Sequence, residues 1–432
     1  MASSELLLRR QFLRTTAAAG VAAPALFSAV AASAQPVAAN DRLTLGFIGI
    51  GMMGRGHLSR FLGMNDVQVL AVCDVEKTRR ENARQAVEAR YAEAKKSGAY
   101  RGCDEYTDFR ELLARKDIDA VLIATPDHWH AIPCIQAAKS GKHIYCEKPL
   151  TFTIREGRMI ADAVRDAKVI FQTGSQQRSE FGGKFRQAAD LIRNGRIGKV
   201  KTVRVGVGGP PKPCDLPELE APGDVDWQMW VGPSVYRGYN EILCPRGMHK
   251  HFPAFRQYRE YAGGSLADMG AHHFDIAQWA LGMDASGPIK VEPPADGAET
   301  GLKFTYRDGV EMFHGGPSGC TFEGTEGTLY VDRGALTASS AEILETPLPD
   351  NAERVYLSTD HSRNWIECIR GGKATICPPE VGHRSATICH LANIGYRLGR
   401  ALNWDPQAEQ FDDKEANALL HREPRDPWSY SV

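Results

Sequence analysis

Three short groups of residues combine side-chain types and spacings that could carry chemistry. The first is Gly49-Ile50-Gly51-Met52-Met53-Gly54, a loop with the spacing GxGxxG. The second is Glu147-Lys148-Pro149, and the third is Asp268 with His272 four residues later. Glycines at this spacing let a backbone approach a phosphate closely. An ammonium, a carboxylate and an imidazole can stabilise or move a proton.

The glycine loop lies between an apolar run and a helical stretch that extends from about Arg55 to Leu62. Free backbone amides and the positive dipole end at the start of such a helix can hold a pyrophosphate. We therefore predict a dinucleotide-binding unit. Its predicted phosphate-binding residues are Gly49, Gly51, Met52, Met53 and Gly54.

Asp74 ends the next predicted strand. At this place in a dinucleotide-binding unit, a carboxylate can accept hydrogen bonds from the adenosine ribose hydroxyls, and its charge would repel a 2'-phosphate. The residue favours NAD over NADP, although Arg79 and Arg80 could neutralise such a phosphate. The structural alternative for Asp74 is a helix N-cap.

The elements that position these groups alternate between short apolar runs and amphipathic helical stretches. Such a pattern indicates an α/β fold with a doubly wound parallel sheet of the Rossmann type, which we predict over residues 40–175. Because a chain of 432 residues is too long for one ordinary core, a second domain is expected. The predicted strands are Leu43 to Gly49, Val67 to Cys73, Ala120 to Thr125, His143 to Cys146 and Val169 to Thr173.

The second domain is predicted over residues 176–432 and has an α+β pattern. A helical stretch from Glu180 to Asn194 and a strand from Lys199 to Val207 precede an aromatic-rich excursion over residues 208–264, which is far longer than a normal connector and typical of a binding element. Later runs predict a mainly antiparallel sheet with strands Leu302 to Phe304, Val310 to His314, Cys320 to Gly324 and Thr328 to Val331. Helices Asn364 to Arg370 and Arg384 to Leu402 are expected to pack on the first domain or on this sheet.

The composition limits the partners of the chain. It has 52 basic and 53 acidic side chains, so it supplies no field that would attract nucleic acid or anionic lipid, and neither is predicted as a partner. The ten cysteines form no CxxC pair, and no carboxylate or thiolate cluster completes a site around His128 and His130, so no metal site is predicted. The sequence does not decide whether two of the three residues Cys368, Cys377 and Cys389 form a disulfide.

The first forty residues resemble a bacterial twin-arginine (Tat) export signal. Arg9-Arg10-Gln11-Phe12-Leu13-Arg14 is followed by an alanine-rich run without an acidic residue before Asp41, and Ala32-Ser33-Ala34 offers a cleavage site. Residues 1–34 are the predicted signal, and the mature chain is predicted to be periplasmic or otherwise extracytoplasmic. An uncleaved anchor is the alternative. No other segment is predicted to span a membrane.

Further motifs point to a family. Ala124-Thr125-Pro126-Asp127-His128-Trp129-His130, Glu147-Lys148-Pro149 and the stretch from Gly263 to Asp275 follow the glycine loop in this order. Together they resemble the glucose-fructose oxidoreductase and inositol dehydrogenase (Gfo/Idh/MocA) family of sugar and polyol oxidoreductases. The resemblance implies a cis peptide before Pro149, an open antiparallel sheet and a homo-oligomer. It also implies cofactor contacts from Thr125, Pro126, Asp127, His128, His130, Glu147 and Lys148.

The same resemblance makes Lys148, Asp268 and His272 the catalytic group. Lys148 would stabilise the alkoxide of a carbinol and share its proton, while His272, oriented by Asp268, would accept the hydroxyl proton that is lost as hydride leaves. An N-cap for Asp268 and a buried imidazole for His272 are the structural alternatives. Aromatic faces and polar groups that could bind a pyranose come from Gln176, Arg178, Trp227, Trp230, His249 and His273.

These observations predict an exported NAD-dependent oxidoreductase that transfers hydride to or from a carbinol of a sugar, cyclitol or glycoside. Free nicotinamide nucleotides are scarce outside the cytoplasm, so a tightly held cofactor is expected. One alternative is a glycosidase that uses NAD for transient oxidation and elimination, although the Tyr/His-rich signature of the N-acetylgalactosaminidase branch is missing. The other is a non-catalytic binding protein for nucleotide or sugar, against which the presence of Lys148, Asp268 and His272 argues.

Overall fold

The computed structural model describes residues 41–431, so the predicted export signal lies outside the described residues. A six-stranded parallel sheet is formed by β1 (Leu43–Ile48), β2 (Val67–Cys73), β3 (Asp104–Tyr106), β4 (Ala120–Ile123), β5 (His143–Cys146) and β6 (Phe171–Thr173). Its strand order is β3-β2-β1-β4-β5-β6, and all neighbours run parallel. The predicted doubly wound sheet is confirmed. The strands predicted from the sequence did not include β3.

Helices cover both faces of this sheet, because its strands are buried on both sides. Its helices along the chain are α1 (Met52–Leu62), α2 (Lys77–Arg90), α3 (Ala92–Lys96), α4 (Phe109–Ala114), α5 (Ala131–Lys139) and α6 (Ile154–Ala167). A capping box opens α6, in which the Thr153 side chain and Glu156 cap each other's backbone. Short 3-10 turns at Asp127–Trp129, Gln176–Arg178 and Phe181–Gly183 follow β4 and β6.

The second sheet has eight strands: β7 (Val200–Gly206), β8 (Lys290–Glu292), β9 (Lys303–Thr305), β10 (Glu311–Gly324), β11 (Thr328–Val331), β12 (Leu336–Ala338), β13 (Leu402–Asp405) and β14 (Gln410–Phe411). Its main path is β12-β11-β10-β9-β8-β13-β14, and β7 pairs with both halves of β10. This open, mainly antiparallel sheet confirms the predicted fold class. Two predicted strands, Val310 to His314 and Cys320 to Gly324, are the two halves of β10.

The remaining helices follow the last strand of the first sheet along the chain. They are α7 (Lys184–Arg193), α8 (Trp227–Val231), α9 (Gly264–Asp268), α10 (Gly270–Ala280), α11 (Ala341–Glu345), α12 (His361–Gly371), α13 (Pro379–Leu398) and α14 (Lys414–Asn417). Trp365 of α12 lies in the core of the first domain, with its ring 5.8 Å from that of Phe61 and 5.6 Å from that of Tyr145. The helices near the end of the chain therefore pack back as predicted. In the described chain, no helix is long and apolar enough to cross a bilayer.

Several predicted bounds shift by a few residues, and two predicted helices differ from the structure for a clear backbone reason. The helix predicted from Arg384 to Leu402 is α13, which ends at Leu398 because Gly399 adopts a left-handed conformation (φ 64°), and Leu402 begins strand β13. The helix predicted through Asp268 and His272 is divided into α9 and α10 at Met269. That division changes the hydrogen bonding of the candidate catalytic residues.

Candidate active site

The glycine loop has the geometry that a pyrophosphate site needs. Gly49 has a φ of +86°, and a Cβ there would lie 2.8 Å from the backbone of Ala124. A Cβ on Gly54 would overlap the carbonyl oxygen of Gly49, so α1 can pack this closely only with glycine. Gly51 has open space where its Cβ would stand, and no side chain caps α1. The first amides of α1 are therefore available to a phosphate, which fits the predicted group.

Asp74 lines the same cleft beside this loop. Its Oδ2 accepts a hydrogen bond from the Ile50 amide (2.6 Å) and its Oδ1 accepts one from the Glu76 amide (2.8 Å). Asp74 therefore does not cap α2, whose N-cap is Glu76. Two carboxylate oxygens offer about four acceptor sites, so two sites remain for ribose hydroxyls. Arg79 lines the cleft too, which keeps a positive charge close to Asp74.

A cleft lies between the first domain and the excursion. Its lining is mostly apolar with a few polar groups, as in small-molecule and cofactor sites. Its floor comes from predicted cofactor residues, namely Gly49, Gly51, Met52, Met53, Asp74, Thr125 and Pro126. Its opposite side comes from Met229, Trp230, Leu243, Cys244, His249, Pro253, Phe255 and Arg256. We call the excursion residues 224–256 the roof of the cleft.

The roof has its own apolar core, because Trp227 and Trp230 stack at 4.6 Å and pack with Tyr239, Phe255 and Tyr261. Backbone hydrogen bonds join the roof to the first domain, from Asp226 N to Val75 O (3.0 Å) and from Lys77 N to Asp224 O (2.9 Å). Arg79 donates to the carbonyl oxygens of Pro245 and Gly247. The excursion is thus an ordered cover over the cofactor cleft.

The C-terminal segment, residues 420–431, connects the roof to the first domain, and we call it the strap. Arg422 donates to Glu156 Oε1 (2.9 Å) in α6 and to Ser234 Oγ (3.0 Å) beside α8. Arg425 donates to the carbonyl oxygens of Gly232 (3.0 Å) and Gln228 (3.2 Å). The strap therefore links the roof to α6 of the first domain.

Lys148 stands just after β5, and its peptide bond to Pro149 is cis, as the family resemblance implied. The Lys148 ammonium donates to both the carbonyl oxygen (3.0 Å) and the Oδ1 of Asp268. The carbonyl is free because α9 and α10 are divided at Met269, so that the His272 amide bonds to Met269 O (3.0 Å) instead. The break in the helix thus gives Lys148 a second acceptor.

Asp268 orients Lys148 rather than His272. Arg256 Nε lies 3.6 Å from Asp268 Oδ1, and no hydrogen bond joins Asp268 to His272 within the described chain. Burial opposes ionisation of the Asp268 carboxyl, but the charges of Lys148 and Arg256 outweigh it and lower its pKa. Because Arg256 also lines the cleft, the group around Lys148 borders the cofactor site.

His272 is buried at the start of α10, and its Nδ1 finds no hydrogen-bond partner within the described residues. Burial, reinforced by the charges of Lys148 and Arg333, holds its pKa well below the usual value. The ring is therefore neutral near pH 7. An unpartnered neutral imidazole has a nitrogen that can accept a proton.

Several predicted cofactor residues are buried or hydrogen-bonded to other protein groups and do not face the cleft. His128 donates from Nε2 to the carbonyl oxygen of Trp230 (2.9 Å), and burial lowers its pKa to about 3. The ring nitrogens of His130 lie 2.8 Å and 2.9 Å from the carbonyl oxygens of Pro149 and Thr125. Both histidines support the loops around the cleft. Asp127 is buried within range of the charges of Arg256, Asp268 and Lys148, and burial raises its pKa.

Glu147 faces away from the cleft. Its Oε1 lies 2.7 Å from His57 Nε2 and accepts a hydrogen bond from Gln176 Nε2 (2.9 Å). Burial opposes ionisation of Glu147, but these contacts and the charge of Lys148 lower its pKa. Glu147 and the predicted substrate residue Gln176 thus form a buried polar network behind Lys148.

The other predicted substrate residues separate into two groups. Trp230 and His249 line the cleft. Trp227 donates to the Arg237 carbonyl (2.8 Å) inside the roof, and His273 is buried with its carbonyl accepting from Cys320. Arg178 is fully committed to a buried ion pair, because its guanidinium donates to both carboxylate oxygens of Asp275 and of Asp284. The structure does not bring Arg178 to the cleft.

Two arginines of the site are absent from the six predicted substrate residues. Arg256 links the cleft to Asp268, and Arg333 donates to Gln177 Oε1 (2.9 Å), which in turn donates to the His272 carbonyl (3.3 Å). Arg333 stands in a turn of the second sheet, so only tertiary structure brings it here. Arg256 lies at the end of the histidine-containing segment that begins at His249 in the excursion, and this place in the excursion is the only sequence feature that suggests a role in binding.

Two family models match the chain. The NAD-binding Rossmann fold of the oxidoreductase family, GFO_IDH_MocA, matches residues 43–175. The C-terminal alpha/beta domain of the oxidoreductase family, GFO_IDH_MocA_C2, matches residues 212–430. The second match alone covers about half of the chain. Together the two matches include the glycine loop, Lys148, the roof, Asp268 and the strap.

Among known proteins, the following three are similar to the chain at identities from 18% to 32%. A glycosyl hydrolase family 109 protein of Shewanella pealeana is 32% identical over 209 residues, which are 45% of this chain and 44% of that protein. Myo-inositol 2-dehydrogenase of Thermotoga maritima is 24% identical over 256 residues, 58% of this chain and 60% of that protein. The WlbA dehydrogenase of Bordetella pertussis, solved with NADH and UDP-GlcNAcA, has a TM-score of 0.58, 18% identity and coverage of 84% of this chain and 99% of that one. This last likeness shows the fold.

Proposed function

The chain belongs to the Gfo/Idh/MocA oxidoreductase family, and from that premise we propose that it transfers hydride between a tightly held NAD and a carbinol carbon of a sugar, cyclitol or glycoside. The observation that carries the proposal is the Lys148–Asp268 pair beside the nucleotide cleft. Bound NAD would accept or return hydride. The resemblance to myo-inositol 2-dehydrogenase supports a polyhydroxylated substrate.

The residues of the chain divide the remaining work. Asp268 fixes the Lys148 ammonium through two acceptors, so a substrate oxygen placed there would meet an oriented donor that can stabilise an alkoxide. His272 is neutral, and a neutral imidazole has one nitrogen that can take up the hydroxyl proton. The roof covers one side of the cleft, and a bound substrate that displaced the remaining water would strengthen these electrostatic interactions.

Mutation of the two proton-handling residues tests the proposal. Native protein is first analysed by mass spectrometry for its released nucleotide, and sugars, cyclitols and glycosides are then screened by nicotinamide absorbance. With the substrate so found, we expect Lys148→Met and His272→Ala to lose about 100-fold or more in kcat, the usual effect of removing a general acid or base. Lys201→Met, an exposed lysine of β7, serves as the matched control. Wild-type rates in folded, NAD-bound Lys148→Met and His272→Ala proteins would overturn the assignment.

A second candidate function is glycoside cleavage by transient oxidation and elimination. The 32% identity to a glycosyl hydrolase family 109 protein favours it, as does a cleft whose roof is fastened at several points. In this reaction, oxidation at a ring hydroxyl acidifies the neighbouring C–H and elimination expels the aglycone, which leaves an unsaturated ketone. Water then adds to its double bond, and the hydride returns to the carbonyl carbon. Glycoside cleavage in deuterated water without a net absorbance change, with deuterium at the carbon whose C–H was acidified, would favour this function. Stoichiometric reduction of an added acceptor would favour the dehydrogenase.

We also propose Tat export and an extracytoplasmic location. The support is the twin-arginine pattern at Arg9-Arg10. A variant with Arg9→Lys and Arg10→Lys is expected to stay in the cytoplasm of a Tat-competent host, whereas Arg14→Lys is the matched control. Export of the double variant at the normal level would contradict the proposal.

A further inference from the structure

Arg333 stands at a fixed position in the turn between β11 and β12. Asp332 Oδ1 accepts hydrogen bonds from the amides of Gly334 (2.7 Å) and Ala335 (2.6 Å), and its Oδ2 accepts one from Tyr330 Oη (2.9 Å). These bonds hold the turn on the second sheet. The backbone that carries Arg333 is therefore constrained, although the residue itself is exposed to solvent.

The side chain of Arg333 is also held in place. Its guanidinium lies 4.9 Å from the ring centre of Phe181, and its Nε donates to Gln177 Oε1 (2.9 Å). Gln177 donates in turn to the carbonyl oxygen of His272 (3.3 Å). Arg333 is thus anchored to the first turn of α10, beside the residue proposed to take up the substrate proton. Its two Nη groups make no hydrogen bond within the described residues.

The guanidinium of Arg333 has no ion-pair partner within the described residues. The charge of Asp268 reaches Arg333, but Asp268 Oδ1 is already shared by Lys148 and Arg256. No carboxylate of the described chain lies within 4.0 Å of Arg333. Burial lowers the pKa of Arg333, since part of its hydration is lost without a close anion in return. A guanidinium with a free fork is a geometric match for carboxylate or phosphate oxygens.

We propose that Arg333 is a substrate-binding residue and that the natural substrate is a sugar carrying an anionic group, either a carboxylate or a phosphate. This inference rests on the proposed function, because it places the sugar at Lys148 and His272. The anionic group binds to the Nη atoms of Arg333 and supplies the counter-charge that this guanidinium lacks within the described residues. Phe181 and Gln177 set the direction of the guanidinium, so the anionic group is recognised on the side of the second sheet.

Equilibrium binding to the NADH-loaded protein tests this inference independently of turnover. Titration calorimetry compares glucuronate, galacturonate and mannuronate with their neutral parent sugars, and glucose 6-phosphate with glucose. We expect an acid or a phosphate to bind about 10- to 100-fold more tightly than its neutral parent, the range of a charge-assisted bidentate contact. Arg333→Gln should abolish that ratio and Arg333→Lys should keep part of it. The matched control is Arg101→Gln, which removes an exposed charge of the first domain.

The outcomes of these binding and turnover measurements test the anionic substrate and the proposed oxidoreductase separately. A preference for uronates that Arg333→Gln removes supports a carboxylate, and the same result with glucose 6-phosphate supports a phosphate. If no anionic sugar binds better than its neutral parent, or if Arg333→Gln keeps the preference, the inference is overturned. Hydride transfer to a neutral sugar with an unchanged Arg333→Gln rate leaves the proposed oxidoreductase intact and removes the anionic substrate. Charge-dependent binding without any hydride transfer removes the proposed oxidoreductase instead.

Discussion

Trp428 in the strap is the residue whose removal most directly tests how the cofactor is retained. Its ring is 9% exposed and lies 4.7 Å from that of Trp129 and 6.4 Å from that of Phe109, both in the first domain. Arg425, three residues earlier, donates to roof carbonyls at Gly232 and Gln228. Trp428→Ala therefore weakens the connection to the first domain and leaves the connection to the roof.

The magnitude follows from the burial of this ring. Truncation of a buried tryptophan to alanine costs about 3–5 kcal/mol. If ~3 kcal/mol of this stabilises the closed roof, the open population rises on the order of 100-fold, since about 1.4 kcal/mol corresponds to a factor of ten. We expect NAD to leave the Trp428→Ala protein about 100-fold faster than it leaves the wild type, because release requires an open roof.

Release is measured by diluting the purified protein with its native nucleotide and following the bound fraction after rapid gel filtration. Trp404→Ala is the matched control, since Trp404 is 4% exposed and its ring lies 4.8 Å from that of Phe411 in the second sheet. This control should lose stability without losing cofactor faster. Equal release from both variants, or wild-type retention by the Trp428→Ala protein, would refute the role of the strap.

Three further predictions concern charge. Asp74→Ser removes the carboxylate beside Arg79, so we expect the preference for NAD over NADP to fall about tenfold or more, the effect of ~1.4 kcal/mol, measured as the ratio of the two dissociation constants. Because burial and nearby cations hold the pKa of His272 well below its usual value, kcat/KM should show no acid limb from His272 between about pH 6 and 8, and a His272-dependent limb there would contradict the neutral ring. Burial opposes ionisation of Glu409, but hydrogen bonds from His383 and Arg158 lower its pKa to about 2. The ionised Glu409 carboxylate therefore contributes fully to the free energy of unfolding above its unfolded-state pKa of ~4.3, and this contribution is lost as the pH falls toward 2. The loss of stability caused by Glu409→Gln, measured by urea unfolding, should become smaller over that range.

The fold was predictable where a strand is buried on both faces. The predicted bounds of β2 and β5 agree with the structure, because Val67–Cys73 and His143–Cys146 are nearly continuous apolar runs. The strand β3 has the sequence Asp-Glu-Tyr and lies at the sheet edge, so it offers no apolar run to detect. The end of α13 had a usable signal, since Gly399 is a typical left-handed C-cap that the predicted helix ran through.

The candidate site was predictable where its residues are adjacent in sequence. The glycine loop and Thr125 line the cleft because each stands at the carboxyl end of a parallel strand. The pairing of Asp268 with Lys148 depends on the division between α9 and α10, which no periodicity reveals. Arg333 reaches His272 from another sheet through Gln177, so its role depends on tertiary contacts alone.

The fastened roof also bears on how the enzyme is reoxidised. An enzyme that exchanges NADH for NAD in every cycle must break the hydrogen bonds of the roof at Val75, Lys77 and Arg79 and release the strap each time. A cofactor that stays bound needs none of this, but its reduced form must then be reoxidised inside the cleft, by a second carbonyl compound or by return of hydride to the same sugar. We therefore infer that the kinetics do not depend on the concentration of free NAD. Parallel double-reciprocal plots with two carbohydrates would support reoxidation by a second carbonyl compound. A rate that is independent of any second carbohydrate would support return of hydride to the same sugar. A rate that depends on added NAD would show that the roof opens in every turnover.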